Sequence, residues 1–254
     1  MPVIKDPAER RARKEAKERA LLRFLREEVW TDLQTAARVM GVQERAARQT
    51  IENLERVGWI IRHKLNIYRG AGALLVGITE RGQVEAADVE HGEQISSKVF
   101  QPSKLAAQYL QHTTDIHHHR LDAEAAHAKA WVTADRLPKP DKKPLPPGVK
   151  PPAPEKRPDA LLVTASGRRV VLEVERNPKT PTRMKPVMVT HMKRLTGGKA
   201  DAVIYSCPDA RTAARCESVI RSFKALPGAG GLIVPVPHER FIVCTYQDFK
   251  NHLT

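Results

Sequence analysis

The sequence lacks any long apolar run. No stretch among its 254 residues approaches the roughly 18 consecutive apolar residues that a membrane-spanning helix needs. The N-terminal segment is dominated by Lys, Arg and Glu and contains no apolar core of the kind that a secretory signal peptide has. We therefore expect a cytoplasmic protein that is not inserted in a membrane.

Cysteine is scarce as well. The chain has three cysteines, Cys207, Cys216 and Cys244. Neither their odd number nor their scattered spacing is typical of a disulfide framework or of a zinc site. This pattern predicts a reducing compartment and no structural metal.

Acidic residues are in deficit. Lys and Arg total 43 against 29 Asp and Glu, so the formal net charge is +14. A protein this basic is expected to meet a polyanion. Nucleic acid is favoured as that partner over an anionic membrane surface, because nothing else in the sequence is typical of membrane binding.

Proline is concentrated in one segment. Nine of the 19 prolines lie between residues 137 and 159. Because proline removes the amide donor and fixes φ, this segment is expected to be an extended, basic linker rather than a helix or a strand. The sequence therefore predicts an N-terminal domain over 1–90, a helical connecting region over 91–137, the linker over 138–156 and a second domain over 157–254.

Apolar periodicity in the N-terminal domain predicts three helices followed by a hairpin. The predicted elements are helices over 7–30, 32–40 and about 43–57, then strands over 59–62 and 74–79. Thr31 is the predicted N-cap of the second helix. The third helix is expected to bury Ala46, Ala47, Ile51 and Leu54 and to end at Gly58.

This order of elements resembles the winged helix-turn-helix family, most closely in the strings LERVGWIIRHK and ITERG. The resemblance implies that the third helix enters the DNA major groove and that the hairpin, or wing, lies along phosphates. Winged helices also serve as protein–protein modules, but the net charge favours DNA. The candidate DNA-binding residues are Arg45, Arg48 and Gln49 on the helix, which can read base edges, and Arg62, Lys64, Asn66, Tyr68 and Arg69 on the wing.

Five histidines lie within a predicted helical region over 102–136. They are His112, His117, His118, His119 and His127. Histidine is a common metal ligand, but residues 117 and 119 of a helix diverge by about 200° and cannot grip one ion. A polar helix surface or a domain-contact face is the favoured interpretation, and the role of these histidines stays open.

Three carboxylates are expected to converge in the second domain. Residues 160–163 and 169–174 read as the strands of a hairpin whose turn lies at 165–167. Strand alternation places Glu173 and Glu175 on one face, about 7 Å apart, and the hairpin can bring Asp159 next to Glu173. Because like charges oppose one another, a hard divalent cation such as Mg²⁺ or Mn²⁺ is the expected companion of these acids. Such an ion polarises a phosphate and activates water.

The Pro-Asp dipeptide before the first strand, followed by Glu-x-Glu in the second, resembles the PD-(D/E)xK nuclease superfamily. The resemblance implies a restriction-endonuclease-like α/β domain with a mixed central sheet, in which Asp159 and Glu173 bind metal. Glu175 departs from the superfamily, which usually has lysine there, and Lys179 is the candidate for the missing positive charge. The later elements are predicted as a helix over 185–195, a strand over 201–206, a helix over 210–226 and strands over 232–236 and 241–245.

Basic residues of the predicted helix over 185–195, and of the segment just before it, could neutralise phosphates. They could equally form an ordinary basic helix face. These candidates are Arg183, Lys185, Lys193 and Arg194, with His191 as a further participant. Tyr205 and Tyr246 are the tyrosines available for a covalent DNA intermediate, although neither has a diagnostic setting.

Over most of its length the chain resembles the MobC-type plasmid mobilisation relaxases and the related replication-relaxation proteins, most sharply at residues 157–179. The resemblance implies metal-dependent, site- and strand-specific nicking of DNA at a plasmid transfer origin. It also implies other relaxosome proteins and a coupling protein as partners. The alternatives are a non-catalytic DNA-binding regulator of plasmid replication or transcription with an inactive nuclease fold, and a defence or repair nuclease.

Overall fold

A computed structural model of the protein describes residues 6–66, 72–137 and 156–253. Within them the chain is a mixed α/β protein with seven α-helices and a five-stranded mixed sheet. It divides into two compact units, Met1–Leu121 and Asp122–Thr254. Tyr68, Arg69 and nearly all of the expected linker lie outside the described residues. No described helix combines the length and the apolar character that a bilayer crossing would need.

The first unit contains helices and a small antiparallel sheet. Its elements in chain order are α1 (Pro7–Glu28), β1 (Trp30–Asp32), α2 (Leu33–Val39), α3 (Glu44–Arg56), β2 (Ile60–Asn66), β3 (Gly72–Ile78), α4 (Glu80–Ala86) and most of α5 (Ala107–Ala125). Strand β3 lies between β1 and β2 and is antiparallel to both. The predicted three helices and hairpin are confirmed, but the first helix ends at Glu28 and an unpredicted strand, β1, begins at Trp30.

Two details of these helices differ from the sequence prediction. The N-cap of α2 is Asp32, whose Oδ1 accepts a hydrogen bond from the backbone N–H of Thr35 at 2.7 Å, while Thr31 is buried in strand β1. A carboxylate at this position also complements the positive end of the helix dipole. In α3, Ala47, Ile51 and Leu54 are buried as expected, but Ala46 is exposed because it lies one position outside the apolar stripe.

The second unit is built around one five-stranded sheet. Its elements after α5 are β4 (Ala130–Thr133), β5 (Ala160–Val163), β6 (Arg169–Val174), α6 (Pro181–Thr196), β7 (Ala202–Cys207), α7 (Ala210–Arg221), β8 (Ala225–Pro227), β9 (Ile233–Pro235) and β10 (Phe241–Thr245). The strand order is β10-β7-β6-β5-β4. Strands β4, β5 and β6 form an antiparallel meander, and β6, β7 and β10 run parallel.

This sheet follows from short apolar strands and two crossover connections, which contain α6 between β6 and β7 and α7 between β7 and β10. Strand β6 is buried over five of its six residues and β7 over all six, as expected for central strands covered on both faces. A parallel neighbour requires a crossover connection, which α6 supplies between β6 and β7. The helix packs its apolar side, including Met184 and Met188, against Val171, Val203 and Tyr205 of the sheet. The loop that follows β6 therefore leads directly into a helix that is packed against the core of the sheet.

Several boundaries in this half differ from the prediction. The expected helical region over 102–136 is wrong at its end, where residues 130–133 form β4 and pair with β5. Helix α6 starts at Pro181 rather than at about residue 185, and Pro186 lies inside it. Helix α7 ends at Arg221, and the last two residues of the predicted helix, 225 and 226, belong to strand β8 instead. The three cysteines are buried and free.

Candidate active site

The site begins at the first residue of the β5–β6 hairpin. Strand register pairs Ala160 with Leu172, so Asp159 lies opposite Glu173. Two hydrogen bonds hold it there: the Asp159 N–H donates to the carbonyl of Leu172 at 3.1 Å, and the Val174 N–H donates to Asp159 Oδ2 at 2.7 Å. The hairpin thus fixes one oxygen of the Asp159 carboxylate beside Glu173, as the sequence predicted.

Glu173 projects from β6 on the face that carries Val171, and the residue is only 8% exposed. Burial raises the pKa of its carboxyl well above the ordinary 4.5, and the negative charge of Asp159 raises that pKa further. The nearby charge of Lys179 acts in the opposite direction. A carboxyl group held in such surroundings is costly to ionise unless a cation compensates it.

Glu175 follows the last residue of β6 and is paired with a lysine. Its N–H donates to the carbonyl of Ser206 at 2.9 Å, which extends the β6–β7 ladder by one residue. The Lys179 ammonium donates a hydrogen bond to Glu175 Oε2. Burial lowers the pKa of Lys179, but the hydrogen bond to Glu175 and the charges of the acids outweigh burial and raise it overall. Lys179 is therefore a charged group held among the three acids, which we call the acid cluster: Asp159, Glu173 and Glu175.

His191 of α6 closes the buried side of the acid cluster. Its Nε2 lies 3.1 Å from Glu173 Oε1, and the residue is fully buried, with its ring centroid 6.0 Å from that of Tyr205. Neither ring nitrogen of His191 has a partner in hydrogen-bond geometry, and neither does Glu173 Oε1. The short distance therefore reflects proximity rather than a hydrogen bond. Burial lowers the pKa of His191 to about 3, and the charge of Arg194 lowers it further, so the ring is neutral.

The other basic residues predicted near the acids are spread along α6. Arg183, Lys185 and Lys193 are exposed. Arg194 is partly buried, donates to the carbonyl of Lys156 at 3.5 Å and lowers the pKa of Glu173 through its charge. Arg194 is thus connected electrostatically to the acid cluster.

The two candidate tyrosines have different settings. Tyr205 is fully buried, and its hydroxyl lies 3.8 Å from the sulfur atoms of Met184 and Met188. Burial also raises the pKa of Tyr205. A hydroxyl that is enclosed between two thioethers is out of reach of a DNA backbone. Tyr246 follows strand β10 and is partly exposed.

In the first unit, the predicted reading residues share the outer face of α3. Arg45, Arg48 and Gln49 are all exposed. On the hairpin, Arg62 is instead engaged by α3, since its guanidinium contacts Glu55 at 2.6 Å and Glu52 at 3.4 Å. Lys64 is exposed. The predicted wing residues Tyr68 and Arg69 lie outside the described residues.

Two of the five histidines, His117 and His119 of α5, are buried, whereas His112 and His118 are partly buried and His127 is exposed. His117 is buried against Phe24 and Trp30 and lies 3.6 Å from Glu28, while His119 Nδ1 contacts the carbonyl oxygen of Asp115 at 2.6 Å. Burial lowers the pKa of His117 to about 3. Both contacts are those of packed structural residues.

No set of three His, Cys, Asp or Glu side chains among residues 6–66, 72–137 and 156–253 is arranged to hold one metal ion. The predicted three-acid ligand set is therefore not assembled: Glu175 is engaged with Lys179, which leaves Asp159 and Glu173 as neighbours. No family model matches the sequence, and no curated protein matches it.

Proposed function

We propose that this protein is a metal-dependent DNA endonuclease that nicks one strand at a specific site. The observation that carries the proposal is the acid cluster with Lys179 at the carboxyl end of β6, the central strand of the mixed sheet. A buried carboxyl on β6 and a second carboxylate fixed opposite it lie at the β5–β6 hairpin, and a charged lysine from the loop after β6 lies beside them. Structural packing alone gives no reason to concentrate these groups.

The residues present fit a hard divalent cation in their chemistry. Glu173 Oε1 is a buried oxygen without a hydrogen-bond partner, and Asp159 supplies a second carboxylate beside it. Mg²⁺ is commonly held by one or two carboxylates, with waters and substrate phosphate oxygens completing its shell. A site of two acids is thus compatible with the absence of a three-ligand group in the described residues.

Asp159 and Glu173 would hold the ion, which when bound supplies charge to polarise a phosphate and to activate water. Lys179 is placed to stabilise negative charge that develops on the phosphate, because it already lies among the acids. Glu175 holds the Lys179 ammonium in position. Arg194 adds positive charge beside the cluster.

DNA recognition is proposed for the exposed face of α3. Arg45, Arg48 and Gln49 are side chains that can contact base edges, and the net charge of +14 favours association with the phosphate backbone. By its resemblance to MobC-type relaxases, the substrate is proposed to be a plasmid transfer origin. The relaxosome proteins and the coupling protein are proposed as partners on the same ground.

The test is a nicking assay on supercoiled plasmid carrying a transfer origin, with Mg²⁺ or Mn²⁺. We expect Asp159→Asn and Glu173→Gln to abolish nicking and to leave DNA affinity in a mobility-shift assay within about twofold. Asparagine retains an oxygen that can accept from the Val174 N–H, so the hairpin is preserved. Glu239→Gln, at an exposed glutamate of the same unit, is the control. Nicking by both acid variants at the wild-type rate would refute the assignment.

A second candidate function is a non-catalytic DNA-binding regulator. It is favoured by Glu175, which stands where the resembling nucleases usually have lysine and is already occupied by Lys179. In that case the wild-type protein would shift the same DNA but never convert supercoiled plasmid to the open circle with any divalent ion.

A further inference from the structure

The N-terminal half of α1 extends beyond the core of the first unit. Residues 7–16 are all exposed, and the buried side chains of the helix begin at Leu21. At a rise of 1.5 Å per residue, this exposed segment, which we call the overhang, is about 15 Å long. Its first turn is fixed by its own sequence, because Asp6 accepts a hydrogen bond from the Ala8 N–H at 2.9 Å and Pro7 occupies the first helical position. The overhang is therefore a preformed helical arm.

Four basic residues form one stripe along the overhang and the turn that follows it. This basic stripe consists of Arg10, Arg13, Lys14 and Lys17. At about 100° per residue, the four positions span a sector of about 100°, which is one face of the helix. The first three residues are exposed and Lys17 is partly buried. Among the described residues, Lys14 pairs with Glu18 at 3.7 Å, and no ion pair engages the other three members.

The basic stripe continues the face with which α1 packs on the first unit. Leu21 and Phe24 are buried and lie seven residues after Lys14 and Lys17, which is close to two helical turns. The stripe therefore faces the side of α1 on which this core lies, although Arg10 and Lys14 remain exposed there. A ligand that lay against this side of the helix would meet a row of positive charges.

The composition of this part of α1 selects the kind of ligand. Between residues 7 and 20 the only apolar residue types are alanine and proline. A helix that lies on a membrane needs a face of large apolar side chains, and a helix that docks in a protein groove needs apolar anchors. A row of cations without such neighbours suits a polyanion instead. The four positions spread over about 10 Å of helix axis, which is comparable to three base-pair steps of duplex DNA.

We propose that the basic stripe of α1 binds the phosphate backbone of duplex DNA and adds a sequence-independent contact to the outer face of α3. This inference rests on the DNA-binding part of the proposed function and not on nicking. Phosphate contacts set the affinity and the position of a protein on the duplex but carry no sequence information directly. The stripe would therefore strengthen binding to any duplex, while α3 distinguishes one sequence from another.

The experiment compares two double variants of the full-length protein that each remove two positive charges from α1. Arg10→Gln/Arg13→Gln changes the basic stripe, whereas Arg11→Gln/Arg19→Gln changes two exposed arginines outside it. Glutamine has nearly the helix propensity of arginine, and circular dichroism checks that both variants are folded. Fluorescence anisotropy then measures binding to a transfer-origin duplex and to a random duplex at several salt concentrations.

The expected result is a change in the salt dependence of binding. The stripe variant should reduce the steepness of log K against log[salt] by about 1.8 on both duplexes, which is about 0.9 for each lost phosphate contact. The control variant should change this slope little. Arg10→Lys/Arg13→Lys should retain the wild-type slope, because the positive charges are kept.

The remaining outcomes separate this inference from the proposed function. A change of slope in the control that equals or exceeds that of the stripe variant overturns the inference, and so does an unchanged slope in the stripe variant. A wild-type protein that binds neither duplex overturns both the inference and the proposed function. If the protein never nicks but the slope changes as expected, the nuclease proposal fails and the stripe remains a DNA contact. Anionic lipid vesicles test the other polyanion: stripe-dependent binding to vesicles, without stripe-dependent binding to DNA, also overturns the inference.

Discussion

Replacing Glu173 with glutamine should stabilise the protein at neutral pH while it removes nicking activity. The reason lies in the contacts of this side chain: its carboxyl is buried, faces Asp159 across the hairpin and has no hydrogen-bond partner for Oε1. Glutamine has nearly the same shape and no charge. It also carries an amide that can donate to the neighbouring His191.

The magnitude follows from the repulsion between Asp159 and Glu173. Side chains directly opposite on antiparallel strands are about 5 Å apart, and two like charges at that distance repel by about 3 kcal/mol at an effective dielectric constant of 20. Lys179 and Arg194 offset part of this repulsion. We therefore expect Glu173→Gln to raise the free energy of unfolding by about 1–2 kcal/mol and the melting temperature of the second unit by about 3–8 °C.

The stabilisation should depend on pH in a defined direction. The pKa of Glu173 is raised in the folded protein, so folding is favoured by the protonated carboxyl below the unfolded pKa near 4.5. That contribution is lost as the pH rises through the folded pKa. Wild type and Glu173→Gln should therefore have similar stability at pH 4.5, and the difference should grow as the pH is raised to 8.

Differential scanning calorimetry at several pH values, with and without Mn²⁺, measures the effect. Added Mn²⁺ should stabilise wild type and leave Glu173→Gln nearly unchanged, because the variant has lost an anionic ligand. Glu239→Gln serves as the control for removing one negative charge from the same unit. The reasoning is refuted if Glu173→Gln is destabilised, or if its advantage at pH 4.5 equals that at pH 8.

Three further predictions concern the ion pairs and the outer face of α3. Lys179→Met should leave Glu175 buried without its partner, which should lower the free energy of unfolding by about 1–3 kcal/mol and also lower the nicking rate. Chemical denaturation and the plasmid assay measure these two effects. Unchanged values in both would contradict the pairing. Arg45→Ala should weaken binding to cognate DNA by about 1–3 kcal/mol, whereas Arg62→Ala should have a small effect because glutamates already engage that guanidinium. Fluorescence anisotropy on cognate and random duplexes distinguishes base contacts from phosphate contacts. An equal loss of affinity on both duplexes would exclude base reading by Arg45. Arg120→Met should reduce the stability of the first unit by about 3 kcal/mol without altering nicking at low temperature, since it leaves a buried glutamate uncompensated; a melting temperature equal to that of wild type would refute this.

The Arg120 prediction depends on a buried network in the first unit. The Arg120 guanidinium contacts Glu28 at 2.6 Å and Glu27 at 2.7 Å and lies 4.9 Å from the centre of the Phe24 ring. The side chains of Arg120 and Glu28 are less than a tenth exposed. Removing one member of such a pair leaves the other charge in the interior.

Local sequence signals predicted the hairpin that carries the acids. Strands β5 and β6 have the predicted bounds because apolar alternation and a turn containing Gly167, whose φ is +91°, are properties of adjacent residues. The same local geometry predicted that Asp159 would face Glu173. A local sequence pattern is sufficient to predict a contact when the contacting residues are close together in the sequence.

The start of α6 was harder to predict, because proline occurs both at the beginning of helices and, less often, inside them. The predicted helix over 185–195 has Pro186 in its first turn, where proline is common. In the structure α6 begins at Pro181 and continues through Pro186. Packing of Met184, which precedes Pro186, against the sheet stabilises the first turn and outweighs the missing N–H donor.

Contacts between distant segments were not accessible from the sequence. Strand β4 has only four residues, and its pairing partner β5 begins 27 residues after the end of β4. His191 approaches Glu173 from α6, within the crossover connection that follows β6. Neither relation leaves a periodic signal, so the histidine was considered as a partner for phosphate and not for Glu173.

Strand β4 has a practical consequence for dissecting this protein. It is the edge of the five-stranded sheet, yet it precedes the proline-rich segment in the chain. A truncated protein that starts after that segment would lack β4. The backbone amides and carbonyls of β5 would then be unpaired and could pair with another copy of the fragment. Recombinant fragments intended to isolate the second unit should begin ahead of Ala130. If the protein is cleaved within the proline-rich stretch, the two pieces should stay associated, because β4 pairs with β5.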